Sequence, residues 1–294
     1  MQQRILSAIV GIALFLFFCF HSPTLMLCGI VLVALLCAYE WTTAYSHQLV
    51  PERLSPSANA LQASLPFLGA IYPVGLYLRL LRGDISPLYP AILVALPIPV
   101  FAFLTLRAAR TGIALGSLRR FYGLVGAIYI GLPISSLVIL RSFLTIPSAK
   151  PPLAHTPLGA WLVLFTAICV WTADSLAFFI GRRLGQHKLA PTLSPGKTWE
   201  GVLGGLFGSL VVGAVVMRSL GLPLWDGLIL GAIAGVVGPW GDLWESAVKR
   251  ELGLKDFGHL MPGHGGFLDR FDSLLFVLPL ACLFWVLLSS LLAR

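Results

Sequence analysis

The sequence has few charged residues: Asp, Glu, Lys and Arg make up 11% of its 294 positions, against about a quarter in a soluble globular chain. It also lacks any Cys-x-x-Cys pair, and its five cysteines all lie in hydrophobic runs, so zinc and thiol redox motifs are excluded. Hydrophobic residues reach 57%, and the mean hydropathy is +0.89. This composition indicates an integral membrane protein rather than a soluble domain.

Long runs that are nearly free of charge recur along the whole chain. Each has about 18 to 25 residues, enough to cross a hydrocarbon core of about 30 Å as a helix. The runs are apolar on all faces, without the period-two alternation of half-buried strands. The predicted fold class is therefore all-α, a polytopic membrane helical bundle of about nine transmembrane helices. The predicted crossings are at residues 4–21, 24–45, 60–81, 88–107, 121–144, 158–180, 199–220, 224–245 and 273–292.

Lys and Arg residues predict the orientation, because cytoplasmic loops retain positive charge. With the N-terminus inside, 14 of the 20 basic residues fall in inner segments and six in outer ones. This split favours an inner N-terminus and an outer C-terminus. The net charge is +8, and most basic residues lie in short inner loops. We therefore expect them to bind anionic lipid head groups or a phosphorylated substrate, and we expect no nucleic acid partner.

Acidic residues are concentrated in one segment. Six of the 12 lie between Asp242 and Asp272. Asp242, Glu245 and Lys249 have helical spacing, which places them along one face and favours a Glu245–Lys249 ion pair. We expect Gly253 to end this helix.

Two further carboxylates, Glu40 and Asp174, lie inside predicted crossings. A carboxylate there costs at least about 2.5 kcal/mol, so each needs a partner or a function. For Glu40 a buried polar contact and a functional role are both open, whereas for Asp174 we favour a functional role. Both lie near the inner ends of their crossings, as does the acidic segment.

A glycine-rich loop follows the acidic helix, and Asp269 and Asp272 begin the next helix on one side of its first turn. Glycines allow backbone N–H groups to approach an anion closely. Carboxylates beside such a loop and beside Lys and Arg are typical of a Mg²⁺ and phosphate site. The residues alone favour phosphate chemistry, with an ion or proton pathway as the alternative.

A second basic loop, at 181–201, contains Gly196-Lys197-Thr198, which imitates the end of a Walker A motif. The first glycine of that motif would be residue 191, which is Pro191, so a P-loop is excluded. A basic turn that runs into a helix N-terminus remains, and phosphate affinity there is physically reasonable.

Small residues recur at every fourth position in two predicted helices, and such ridges let helices pack closely. They are Gly201, Gly205, Ser209 and Gly213 in one helix, and Gly227, Gly231 and Gly235 in the next. They also offer surfaces for a homodimer.

Two blocks of residues resemble a known family. The first is Ser246-x-Val248-Lys249-Arg250-x4-Lys255-Asp256-x-Gly258-x3-Pro262-x-His264-Gly265-Gly266-x2-Asp269-Arg270-x-Asp272. The second includes Asp174-Ser175, Gly181-Arg182, Ser194-Pro195 and Lys197-Thr198-Trp199-Glu200-Gly201. In order and length these blocks are similar to the CDP-diacylglycerol synthases, also called phosphatidate cytidylyltransferases. The resemblance is close over about 174–273, and the N-terminal half agrees in hydrophobic layout and in Glu40-Trp41. Met261 and Phe178 depart from the usual pattern, and Phe178 is given no polar role.

The resemblance implies transfer of the cytidylyl group of CTP to phosphatidic acid, giving CDP-diacylglycerol and pyrophosphate in phospholipid biosynthesis. It implies Mg²⁺, expected as a two-cation site, with Asp242, Asp269 and Asp272 as ligands. The catalytic residues that it implies are Lys249, Arg250, Lys255, Asp256, His264 and Arg270. The substrate-binding residues are Asp174, Ser194, Lys197, Ser246, Gly265 and Gly266. Residues 1–120 would then hold the N-terminal transmembrane helices and an inner basic loop, and 121–294 the transmembrane catalytic region with the signature at 246–272.

The expected partners are CTP, phosphatidic acid from the inner leaflet and the lipid bilayer. The expected location is a bacterial inner membrane, with the active site facing the cytoplasm. Two alternatives stay open: a membrane transporter or ion pathway, and a cytidylyltransferase that acts on another lipid phosphate.

Overall fold

The N-terminal half is a series of apolar helices with short connections. In a computed structural model the protein is described over residues 2–48, 55–144, 150, 156–261 and 265–292. Helices satisfy their backbone polar groups internally, as a hydrocarbon environment requires. The first five are α1 (Gln2–Phe20), α2 (Pro23–Gln48), α3 (Pro56–Leu81), α4 (Leu88–Ala95) and α5 (Pro97–Thr111).

The next crossing is interrupted by changes in helix type. A 3-10 helix, Gly116–Phe121, leads into α6 (Tyr122–Gly126), a π-helical turn (Ala127–Gly131) and α7 (Leu132–Ser142). The predicted boundary between the N-terminal region and the catalytic region, after residue 120, falls inside this 3-10 helix. It stays a prediction.

The C-terminal half adds four long helices and a small hairpin. These elements are α8 (Leu158–Leu184), β1 (Lys188–Ala190), β2 (Ser194–Thr198), α9 (Trp199–Ser219), α10 (Leu224–Glu251), a 3-10 turn (Leu268–Arg270) and α11 (Asp272–Leu292). α10 continues beyond the predicted crossing and ends before Gly253, whose φ is +69°. Because glycine adopts this left-handed conformation without steric cost, Gly253 ends the helix as predicted.

The all-α membrane fold is confirmed. Within the described ranges, eight helical segments are long and apolar enough to cross a membrane, and a shorter apolar stretch covers Ile9–Phe20 of α1. The α4–α5 pair forms one of the eight, and the segment from the 3-10 helix through α7 forms another. With α1 included, the described helices correspond in order to the nine predicted crossings.

The loop at 181–201 contains a hairpin that was not predicted. β1 and β2 are antiparallel, with Lys188 opposite Thr198. β2 runs directly into α9, and the Thr198 hydroxyl accepts a hydrogen bond from the Gly201 N–H at 3.2 Å. Thr198 is thus the N-cap of α9, and Lys197 lies one residue before this N-cap.

The first predicted glycine ridge packs against α8 with Gly201 and Gly205, and against the second ridge with Ser209 and Gly213. A Cβ at Gly213 would overlap the Gly227 carbonyl, and one at Gly231 would overlap the Ser209 carbonyl. The Ser209 hydroxyl also donates to the Gly231 carbonyl at 2.8 Å. Small residues therefore bring α9 and α10 into backbone contact, and these faces are buried within one chain. The expectation that they serve a homodimer is corrected.

An aromatic core lies beside the acidic part of α10. Trp244, next to Glu245, has its ring centroid 5.1 Å from that of Phe101. Tyr129, in the π-helical turn, packs 5.6 Å from Trp41 of α2. This core joins the two halves of the chain directly behind the signature residues.

Candidate functional site

The predicted ion pair in α10 is part of a larger group. Lys249 Nζ lies 3.0 Å from Glu245 Oε1 and 2.7 Å from Asp269 Oδ1. The Glu245 and Asp269 side chains are only 1% and 3% exposed. Helical spacing brings Glu245 to Lys249, whereas Asp269 reaches it through the loop after α10. The Glu245–Lys249 prediction is confirmed.

Asp269 also accepts two backbone hydrogen bonds. Its Oδ2 receives the Phe257 N–H at 3.0 Å and the Gly266 N–H at 2.9 Å. Burial acts to raise the pKa of Asp269, but the charge of Lys249 and the hydrogen bonds from Lys249 and the backbone outweigh it, so the pKa lies below its ordinary value. Asp269 is therefore an anion that orders the signature loop and Lys249.

A second lysine contacts the acidic face of α10 from the hairpin. Lys197 Nζ lies 2.7 Å from Asp242 Oδ2 and donates to the Pro239 carbonyl at 3.3 Å. The Ser246 hydroxyl donates to Asp242 Oδ1 at 3.3 Å. The two sequence blocks, far apart along the chain, thus meet at Asp242.

Asp174 and Asp272 are both close enough to Asp242 and Lys197 to interact with their charges. The Ser273 hydroxyl donates to Asp174 at 3.3 Å, and the Ser273 N–H donates to Asp272 at 2.6 Å. Lys197 is a cation that acts on all three carboxyl groups. The carboxyl group of Glu245 interacts with those of Asp272 and Asp269 and so connects the two lysine centres.

The three carboxylates predicted to bind metal are divided between these centres. Asp242 and Asp272 lie with Lys197, whereas Asp269 lies with Lys249. In the part of the chain that is described, no three His, Cys, Asp or Glu side chains are placed to hold one metal ion. A metal ion at Asp269 would compete with the three donors that this carboxylate already accepts.

The remaining predicted residues lie in the hairpin, at the end of α10 and between α10 and α11. Arg250 is exposed, and its Nε donates to the Leu193 carbonyl of the hairpin at 3.4 Å. Lys255 and Arg270 are also exposed, and Ser194 is half-buried at the start of β2. His264 lies outside the described residues.

Gly265 separates Asp256 from Asp269. A Cβ on this glycine would lie 3.4 Å from a carboxylate oxygen of each. Gly265 has a φ of +84°, so a larger residue would be strained there. The glycine allows the loop to pass between the two acids.

Glu40 has a structural partner that the sequence did not reveal. The residue is 2% exposed, and its carboxylate accepts the Phe267 and Leu268 N–H groups, both at 2.9 Å. The presence of an acid inside a hydrophobic crossing indicated that Glu40 needs a polar partner. It could not identify that partner, which lies more than 200 positions away in the sequence. Glu251 was missed for the same reason, and it accepts the Leu115 and Gly116 N–H groups at 2.6 and 3.1 Å.

A recess of about 440 Å³ opens between α2 and the loop after α10. Tyr39, Thr43, Asp256 and His259 line it, together with Glu40. Its size falls in the range of small-molecule sites.

Comparison with known proteins relates this arrangement to a family. The model of the cytidylyltransferase family matches residues 2–288. Proteins named phosphatidate cytidylyltransferase from Staphylococcus saprophyticus and Staphylococcus haemolyticus are 49% and 47% identical over 124 residues, which is 42% of this chain and 48% of each relative. The protein of that name from Staphylococcus aureus (strain COL) is 45% identical over the same length. The chain spans about half the length of these curated relatives.

The family match extends over nearly all of the chain and includes both lysine–carboxylate centres. The chain belongs to the cytidylyltransferase family.

Proposed function

We propose that this protein transfers the cytidylyl group of CTP to phosphatidic acid, giving CDP-diacylglycerol and pyrophosphate. The observation that carries the proposal is the pairing of Lys249 with the buried carboxylates of Glu245 and Asp269, together with the partly exposed Lys197–Asp242 pair on the same helix. The names of the relatives support this choice of substrates.

In the reaction, a phosphate oxygen of phosphatidic acid attacks the α-phosphorus of CTP. The new P–O bond forms as the bond from the α-phosphorus to the bridging oxygen of the β-phosphate breaks, and pyrophosphate leaves. A phosphate monoester with a second pKa near 6 is mostly a dianion at pH 7. The attack therefore needs no protein base, and catalysis consists of positioning and charge neutralisation.

Basic side chains supply that neutralisation. Lys197 and Lys249 are held at the centres by ion pairs, while Arg250, Lys255 and Arg270 are exposed. These five cations are the proposed contacts of the two phosphate-bearing substrates. Ser194, Ser246, Gly265, Gly266 and His264 are proposed to support them, with Asp256 orienting the loop.

Phosphatidic acid is proposed to enter sideways from the inner leaflet, with its acyl chains still in lipid. Asp174 is exposed although it lies within a membrane-spanning helix. Phe178 and Phe179, one turn further along α8, are also exposed. A polar group beside an apolar surface suits a lipid whose head group must reach the Lys197 centre.

Mg²⁺ is proposed as the cofactor, in a two-cation site. The donor set fits a hard cation, because Asp242 and Asp272 offer carboxylate oxygens beside Lys197. Mg²⁺ commonly binds one or two carboxylates and completes its coordination with substrate phosphates and water. Asp242 and Asp272 would hold it, and it would supply Lewis-acid stabilisation of phosphoryl charge. Asp269 as a third ligand stays a prediction.

The protein is integral to the membrane, as its apolar helices require. A bacterial inner membrane with a cytoplasmic active site is the proposed location. CTP is a charged cytosolic solute, and the site is assigned to the side that carries most of the basic loops. A homodimer stays a prediction without an assigned surface.

The test is turnover in proteoliposomes that contain phosphatidic acid, with CTP outside. We expect Mg²⁺-dependent pyrophosphate release and CDP-lipid formation, without accumulation of solute inside. Ion or substrate flux without CTP consumption would instead favour the transporter alternative. Turnover with a polyprenol or ether-lipid phosphate, and none with phosphatidic acid, would assign another lipid substrate.

A further inference from the structure

Three consecutive backbone N–H groups in the signature loop all donate to carboxylates. The Gly266 N–H donates to Asp269 Oδ2, the Phe267 N–H to Glu40 Oε1 and the Leu268 N–H to Glu40 Oε2, each at 2.9 Å. Of these three adjacent N–H groups, Asp269 therefore accepts one and Glu40 accepts two. Glu40 comes from α2, whereas the other groups belong to the signature.

The loop leaves room for both carboxylates because two positions lack side chains. A Cβ at Gly266 would lie 2.6 Å from Glu40 Oε2 and 2.8 Å from Asp269 Oδ2. A Cβ at Gly258 would overlap the Glu40 carboxylate. Glu40 is therefore enclosed on two sides by signature backbone.

The residue after Glu40 supports a second part of the same loop. The Trp41 ring stacks on Phe257 at 5.7 Å, and its Nε1 donates to the Tyr122 carbonyl at 2.9 Å. The Phe257 N–H is the other backbone donor to Asp269. α2 therefore contacts both backbone segments that hold Asp269.

Stability alone gives a weak reason for a buried carboxylate at this position. Burying a charge carries a desolvation penalty, and well-packed apolar groups often serve stability as well or better. A carboxylate that binds two adjacent N–H groups instead restricts the backbone to one conformation.

We propose that Glu40 is a positioning residue for the transfer reaction: it fixes the backbone at 266–268 so that Asp269 holds Lys249 in place for the substrate phosphates. The inference rests on the proposed function, and it extends the functional machinery into the N-terminal half of the chain. Glu40 acts through Asp269 and does not touch the reacting atoms.

Glu40→Gln tests the proposal, and Glu251→Gln is the matched control. Glu251 also accepts two successive N–H groups, from Leu115 and Gly116, but in another loop. We expect Glu40→Gln to lower kcat at least about tenfold with little change in the KM for CTP, because it disturbs positioning more than binding. Glu251→Gln should keep kcat within about twofold of the wild-type value.

Hydrogen exchange gives a readout that does not depend on activity. Glu40→Gln should speed amide exchange in a peptide covering 265–271, and Glu251→Gln should leave that peptide unchanged. If Glu40→Gln does not fold, Glu40→Asp replaces it, because it keeps the charge but shortens the side chain by one methylene. A lower kcat in Glu40→Asp would then support the role.

Unchanged exchange at 265–271, or an unchanged kcat in the Glu40 variant, would overturn the positioning role. An equal loss of kcat in Glu251→Gln would overturn it as well. An inactive wild-type protein would instead overturn the proposed function, so the two failures are distinguishable.

Discussion

Lys197 Nζ and Asp242 Oδ2 lie 2.7 Å apart, although one belongs to the hairpin before α9 and the other to the far half of α10. Asp242 also accepts a hydrogen bond from Ser246, the first residue of the signature block, so the pair links that block to the hairpin block. It also places a flexible cation beside three carboxylates, with part of both side chains open to solvent. In our account, Lys197 exchanges this partner for a CTP phosphate.

Lys197→Gln should therefore lower kcat/KM for CTP by about 100-fold, which corresponds to about 2.7 kcal/mol of transition-state stabilisation. Lys188→Gln is the control, because Lys188 is an exposed lysine on the other strand of the same hairpin. Steady-state rates of CDP-lipid formation measure both variants. Equal losses in the two would mean that overall charge, and not the Lys197 position, is responsible.

Removal of divalent cations with EDTA should abolish turnover, and added Mg²⁺ should restore it. Asp242→Asn or Asp272→Asn should raise the Mg²⁺ concentration for half-maximal rate by about tenfold or more, because each removes a proposed oxygen ligand. Asp226→Asn, in the first turn of α10, is the control. Mg²⁺ titrations of CDP-lipid formation check this, and normal titration curves in both variants would reject these ligands.

Asp269→Asn should abolish turnover and lower stability. The substitution removes the anion that accepts Lys249 and leaves that ammonium with Glu245 alone. Losing a hydrogen bond to a charged group costs about 1.5 to 3 kcal/mol. Thermal unfolding in detergent, followed in parallel with activity, measures both effects. Asp84→Asn, at an exposed loop position, should change neither.

Gly213→Ala should destabilise the bundle by about 1 to 3 kcal/mol, because the added methyl overlaps the Gly227 carbonyl. Gly75→Ala is the control: no atom lies within 4 Å of its added Cβ, and alanine favours a helix more than glycine does. The thermal midpoint should fall for Gly213→Ala and stay level or rise for Gly75→Ala. A similar fall in both would contradict close packing of α9 on α10.

Local patterns predicted most of the elements. Hydropathy identified the helices, and Gly253 marked the end of α10. Helical spacing predicted the Glu245–Lys249 pair. The glycine ridges were recognised as packing surfaces, but the sequence did not say which helices they pack against.

Contacts between distant segments could not be derived in this way. Neither the pairing of Lys197 with Asp242 nor that of Glu40 with the 267–268 backbone has a local signal. The resemblance grouped Asp242, Asp269 and Asp272 as ligands of one metal site. In the fold, however, Asp269 forms an ion pair with Lys249, and Asp242 forms one with Lys197. The short hairpin was also missed, because its five-residue second strand contains Pro195 and Gly196, which favour turns.

The most direct test of the central claim is to follow CTP labelled at either the α- or the γ-phosphate during turnover with phosphatidic acid by the purified protein. We predict that α-label enters the lipid fraction and that γ-label leaves as pyrophosphate, in equal amounts. Gamma-label in the lipid, or consumption of CTP without any labelled lipid, would contradict cytidylyl transfer.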